Sequence, residues 1–241
     1  LVSGLPTGAK LATYYPKNTV HEDFGTARAD YNLRALDRLS AADTIDRGHS
    51  VIPLADPLFA SALQLGAQVA SLEEVHVVSP NVLHTLRVGV SRAAFNYDSA
   101  TLATFPASLS FVKGADPGGI AIGGGAVATA ITTAGGNVNA GVWNRRNLFT
   151  VTDDVQVTKG IHQISTGIWL QRVQDNEDIA SRRLGTATFG TLTTFLQGTL
   201  TNFQVVPNHS ELGWRSLFGA WYIQDAIKIR RNLTLQVGIR Q

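Results

Sequence analysis

At 241 residues the chain can form one large β domain or a piece of something larger, and its lack of methionine points to a fragment or a processed product. It has no cysteine, which excludes disulfides and thiolate metal sites, and residues 1–15 lack the residue order of a signal peptide. Lys and Arg number 20 against 18 Asp and Glu, the basic pairs Arg145-Arg146, Arg182-Arg183 and Arg230-Arg231 are dispersed, and nucleic acid is therefore not an expected partner.

Residues 1–22 show no clear period and read as a loop or a partial strand. From Phe24 to Leu33 residues alternate, Thr26, Arg28, Asp30 and Asn32 against Ala27, Ala29, Tyr31 and Leu33. A turn near Arg34 to Asp37 leads into a weakly patterned return strand, Leu39 to Asp46. His49 to Leu65 holds two prolines and reads as the first long loop, near 48–67. Val69 to Val78 is the next strand, Ser79-Pro80-Asn81 a turn, and Val82 to Tyr97 the return. A second long connection, 98–146, is rich in Gly, Ala, Ser and Thr. Asn147 to Thr158 and Ile161 to Arg172 form a hairpin around Lys159-Gly160, with Phe149, Val151, Val155 and Val157 on one face and Thr150, Thr152, Asp154 and Gln156 on the other. The third connection, 174–213, contains a short helical turn at Leu192 to Gln197 ended by Gly198.

The last stretch, Trp214 to Gln241, carries the strongest pattern. Leu217, Gly219, Trp221, Ile223, Ile227 and Ile229 share one face, while Ser216, Ala220, Tyr222, Gln224 and Lys228 share the other, and only Phe218 and Asp225 fall on the wrong side. After Arg230-Arg231-Asn232 the alternation resumes through Leu233, Leu235, Val237 and Ile239. The first strand of this hairpin is far longer than the roughly 5–6 residues usual in a globular sheet. A strand crossing a membrane needs about 9–11 residues, apolar outward and polar inward. Tight turns alternate with long loops along the chain, as in outer-membrane barrels with short periplasmic turns and long extracellular loops. The expected fold is all-β: an antiparallel up-and-down transmembrane β-barrel, an incomplete segment of about eight strands occupying 1–241. Its two end segments, Phe24 to Leu33 and Leu233 to Gln241, should not pair with each other. Thr150, Thr152, Asp154, Gln156, Tyr222 and Gln224 are then expected to face the lumen, and the apolar faces to contact outer-membrane lipid.

The run YIQDAIKIRRNLTLQVGIR at 222–240 resembles the barrel hairpin of TonB-dependent outer-membrane receptors. GVWNRRNLFTVTDDVQVTKGIHQISTGIW at 141–169 is similar to the same family, in particular to its Oar-like members, which carry a carboxypeptidase-regulatory-like domain. The resemblance covers Asp23 onward. It departs at Ile239-Arg240-Gln241, where the family often has Leu-Arg-Tyr-Glu. It implies a receptor of the bacterial outer membrane that binds and passes a large or scarce solute or protein cargo, with a plug domain and a TonB-type energising protein as partners. No enzyme activity, cofactor or particular ligand is implied. The competing reading from the residues is a secreted all-β binding or adhesion module without transport.

Gly123-Gly124-Gly125-Ala126-Val127-Ala128 fits the dinucleotide fingerprint, but no βαβ context or spaced acid accompanies it, so a glycine-rich loop is expected. Glu74, His76 and His84 are the metal candidates, because a turn at Pro80 sets the two histidines opposite each other with Glu74 on their face; two imidazoles and a carboxylate can hold zinc, whereas a structural role at the membrane rim needs no metal. Alternation sends Asp153 and Asp154 to opposite faces, against paired-carboxylate hydrolysis. Asp175-Asn176-Glu177-Asp178 reads as a solvated loop entrance. Trp221 fits lipid contact, Trp143 and Trp214 an interfacial girdle, and Trp169 an inward position.

Overall fold

The structure, a computed structural model, describes residues 14–123 and 132–241. The long elements are β1 (Thr19–Arg34), β2 (Asp37–Pro53), β3 (Phe59–Ser79) and β4 (Val82–Thr101). Next come the short β5 (Gly119–Ile122) and β6 (Thr132–Gly135), then β7 (Val142–Lys159) and β8 (His162–Asp178). The short β9 (Thr186–Phe189), helix α1 (Leu192–Leu196) and β10 (Asn202–Gln204) precede the last hairpin, β11 (Leu212–Arg230) and β12 (Leu233–Arg240).

The long strands build one 8-stranded antiparallel sheet in the order β1-β2-β3-β4-β7-β8-β11-β12. Seven of its strands run 16 to 21 residues. The sheet is open, since β1 and β12 are its two edges and do not pair with each other, as the sequence led us to expect. At one end adjacent strands are joined by two-residue turns: 35–36, 80–81, 160–161 and 231–232. At the other end lie 54–58, 102–141 and 179–211.

The first expected loop, near 48–67, is a strand over most of its length. β2 runs on to Pro53, β3 begins at Phe59, and their ladder is continuous up to Pro53 opposite Ala60. The prolines belong to a five-residue turn at 54–58 and its entrance instead of filling a loop: Pro53 ends β2, where its missing amide costs little, and Pro57 sits inside the turn. In the same way Thr19–Glu22, within the expected loop at 1–22, pairs with β2, while residues 1–13 lie outside the described residues. The outer ends of the other two connections also join the sheet, which extends through Thr101, from Val142, through Asp178 and from Leu212. These outer ends lost their alternation in sequence because they carry polar and small residues on both faces. Ladder hydrogen bonds carry them further than side-chain pattern does.

Within the two long connections a second, 4-stranded sheet forms in the order β10-β9-β5-β6. β5 and β9 pair in parallel, which ties 102–141 to 179–211. Its small core is Ile122, Ala187 and Phe189, with Ile120 and Phe195 packed against it. Phe189 and Phe195 meet edge to face, with centroids 5.1 Å apart. Phe195 is delivered by α1, whose start is fixed by a capping box: Thr191 Oγ1 accepts from Thr194 N at 3.1 Å and Thr194 Oγ1 from Thr191 N at 3.0 Å. Gly198 follows at φ +67°, the left-handed stop expected from the sequence. The glycine-rich stretch 124–128 lies outside the described residues.

Candidate functional site

Strand register places Thr150, Thr152, Asp154, Gln156, Tyr222 and Gln224 on one face of the large sheet. Asp154 stands opposite Gly167, which stands opposite Tyr222. Gln156, Ser165 and Gln224 form the next such row towards the turns, and Thr152 and Thr150 extend it the other way. The Tyr222 hydroxyl donates to Asp154 Oδ1 at 2.8 Å, and Gln171 Nε2 to Thr150 Oγ1 at 3.1 Å. Trp169 lies on this face, opposite Thr152 and Ala220.

The same polar face continues over β1 to β4 as a charge network that sequence reading missed. Asp30 accepts from Arg28 Nη2 at 3.0 Å, Arg38 Nη2 at 3.1 Å and the Ser40 hydroxyl at 2.6 Å. Glu73, opposite Ser40, accepts from Arg87 Nε at 2.9 Å. Arg28 and Asp30 are alternate residues of β1, Ser40 faces Asp30 and Arg38 lies diagonally across from it, so the register assembles them. A hydrophobic core cannot form on a face with this many charges.

The opposite face is apolar and uncovered. Leu217 is 75% exposed, Val237 56% and Trp221 43%. Among the described residues the buried apolar side chains are Phe59 and Ala60 at the loop end of β3, Ala140, and members of the small sheet, so the large sheet has no core layer of its own. Trp143 lies on this face, but Trp214 does not: it stands on the polar face, where its indole Nε1 donates to Glu177 Oε1 at 2.9 Å. Phe218 and Asp225 do fall on the faces where they break the pattern.

The metal candidates separate. His76 and His84 are indeed directly opposed in the β3–β4 ladder. Each ring, however, turns to a carboxylate on its other neighbour: His76 Nδ1 bonds Asp37 on β2, and His84 Nε2 donates to Asp153 Oδ1 on β7 at 2.6 Å. Glu74 joins neither pair, and among the described residues no three His, Asp or Glu side chains converge as a metal site. A third pair repeats the motif, with His162 Nδ1 donating to Asp225 Oδ2 at 2.6 Å. Each histidine therefore satisfies an acid that the apolar face would otherwise hold alone. Asp225, off-pattern in the sequence, was the signal for this, because His162 lies beside it once β8 and β11 are paired. Asp153 and Asp154 point to opposite faces, as alternation requires.

At the loop end the acidic run is not a solvated entrance. Asp175 is 6% exposed and Asp178 2% exposed. Asp175 accepts from Asn144 Nδ2 at 2.6 Å and Arg146 Nε at 2.8 Å. Asp178 is ion-paired to Arg183 and takes His209 Nδ1 at 2.5 Å, which pins both ends of 179–211 to the top of β8. Asn144, Arg146 and His209 are remote from these acids in sequence, so composition gave no warning of the burial.

Among curated proteins none matches the chain. The fold is similar to the crystal structure of the outer membrane transporter YddB from Escherichia coli, with a TM-score of 0.55 at 10% identity. That likeness covers 92% of this chain and 27% of the transporter's, so the chain spans about a quarter of that protein's length. The model of the outer membrane beta barrel domain family matches residues 3–241. An alternating sheet with one charged face, one uncovered apolar face and no core between layers is what such a domain requires in lipid, and the chain belongs to the outer membrane beta barrel domain family and resides in the bacterial outer membrane.

Proposed function

We propose that the chain is barrel wall of a TonB-dependent receptor of the Oar-like type, which binds a large or scarce solute or protein cargo at its loop end and passes it inward. The observation that carries this reading is the charged face spanning β1 to β12. Asp30, Glu73, Arg87, Asp154 and Tyr222 line a surface too polar for lipid and too continuous for a structural core, which suits a water-filled or plug-filled lumen. The resemblance of 141–169 and 222–240 supports the receptor type, and the neighbouring structure's description as a transporter supports uptake. The long connections then lie outside the cell and the two-residue turns in the periplasm. No residue of the wall carries covalent chemistry; a plug domain and a TonB-type protein supply gating and energy.

Site-specific photo-crosslinking in cells tests this. A crosslinker at Gln156 or Gln224 should capture protein, the plug, whereas one at Val155 should meet only lipid. Capture of protein from Val155, or from none of the three, would overturn the assignment.

A further inference from the structure

The loop end forms a half-open cavity of about 360 Å³ between the 54–58 turn and the β5–β6 hairpin. Its walls are mainly apolar, from Leu54, Ile120, Ala121, Ala134 and Val138, and one carboxylate, Asp56, belongs to the lining. Volume and lining fall at the lower end of what small-molecule sites show: apolar walls with a few fixed polar groups.

The walls are held by contacts that do not involve an occupant. Asp56 Oδ1 accepts from Leu58 N at 3.0 Å and Oδ2 from Gly135 N at 3.2 Å, which orients the carboxylate between the turn and the hairpin. The 136–139 segment is fastened to the large sheet through Asn137, whose Nδ2 donates to the Tyr97 hydroxyl at 2.6 Å and to Ser61 Oγ at 3.0 Å. Arg182 N donates to the carbonyl oxygen of Val138 at 2.6 Å and secures it from the other long connection.

Asp56 retains unused acceptor capacity. A carboxylate offers about four lone-pair sites, and two are taken by neutral backbone donors. Among the described residues no basic side chain pairs with it. A negative group in an apolar recess repels anions and favours a cation that can donate a hydrogen bond, an interaction about twice as strong as a neutral one. We propose that this cavity binds a small ligand made of an apolar body and one ammonium-type head, with the head seated on Asp56.

The test uses the protein folded in lipid nanodiscs, with empty nanodiscs as the blank, and phenethylamine as the probe in equilibrium dialysis. One saturable site is expected, with 2-phenylethanol, the neutral analogue, binding about tenfold more weakly or worse. Asp56→Asn removes the charge while keeping an acceptor for one of the two backbone amides, and should weaken phenethylamine to the same degree. Ala134→Leu fills the cavity and should abolish binding; heat-modifiable gel mobility checks that each variant is folded. No saturable binding, equal affinity for the alcohol, or undiminished binding in a folded Ala134→Leu variant would overturn the site. Binding is read without an energised membrane, so its failure leaves the uptake reading standing, and failed plug capture leaves this site standing.

Discussion

The Tyr222 hydroxyl reaches Asp154 Oδ1 at 2.8 Å across an intervening strand, and the residue between them is Gly167. A Cβ at Gly167 would collide with the Asp154 carboxylate and lie 2.8 Å from Tyr222 Cε1. The glycine is therefore the gap that lets two side chains two strands apart bond to each other. Gly167→Ala should destabilise the folded barrel by about 1–3 kcal/mol through overpacking, read as a lower urea midpoint in detergent. Gly25→Ala, where nothing lies within 4 Å, is the control and should leave the midpoint nearly unchanged. Equal midpoints for the two variants would show that the Tyr222–Asp154 bond does not depend on the gap.

The orientation of the faces can be tested by moving one charge by one residue. Val155 lies in the apolar row with His84 and Thr166, while Gln156 lies in the polar row with Leu83 and Ser165. Val155→Arg should impair membrane assembly by about 2–4 kcal/mol if it sits near midplane, and Gln156→Arg should be tolerated. Folding into lipid vesicles followed by denaturant titration measures both, and similar losses would contradict an apolar-outward arrangement.

Much of this two-faced plan is legible in the sequence, and the reason is the period of two. Once Val155 and Gln156 are assigned to opposite faces, every residue of the β7–β8 hairpin follows, and the eight-stranded count came from the alternation of tight turns and long connections. What stayed hidden depended on register between strands. Asp37 with His76, and Asp30 with Arg38, are cross-strand relations that no single-strand pattern displays. The ends of β2 and β3 were missed because Pro53 and Pro57 suggested a loop, although Ala60 and Ser61 continue the ladder. The small sheet was invisible for another reason: β5 pairs with β9, 67 positions later by first residues, and four-residue strands leave almost no periodicity.

The His84–Asp153 pair should behave as a unit. Asp153 stands opposite Leu86 on β4 and Ile168 on β8, so removing His84 leaves its carboxylate among apolar neighbours. His84→Leu alone should cost about 1–3 kcal/mol. The double variant His84→Leu with Asp153→Leu should recover most of that loss, because the unpaired acid is gone. A double-mutant cycle by denaturant unfolding in vesicles gives the coupling. Additive losses would mean that the pair contributes no mutual stabilisation.

Asp178 predicts where the loop end gives way. Its carboxylate holds Arg183 and His209 together, one near each end of the 179–211 segment. Asp178→Asn should raise the rate of proteolytic cleavage within 199–211 by about tenfold, the effect of losing charge-assisted bonds that together contribute ~1.5 kcal/mol or more. Cleavage in the turns at 80–81 and 160–161 should not change. Unaltered cleavage in 199–211 would place the restraint elsewhere, in the β9–β10 pairing.

Among the described residues β1 and β12 each leave one row of backbone amides and carbonyls without a partner strand, and such edges recruit other strands. Because the chain contains no cysteine, introduced pairs report strand proximity without background. Thr26 and Thr44 stand opposite each other with hydroxyl oxygens 3.1 Å apart, so Thr26→Cys with Thr44→Cys should crosslink within one molecule. Thr26→Cys with Gln236→Cys places one thiol on each edge strand. In the chain expressed alone, this second pair should give crosslinked dimers and larger species on a non-reducing gel, with no intramolecular product. A fast-migrating monomer containing the Thr26–Gln236 crosslink would mean that the two edges meet, and the sheet would then be a closed eight-stranded barrel.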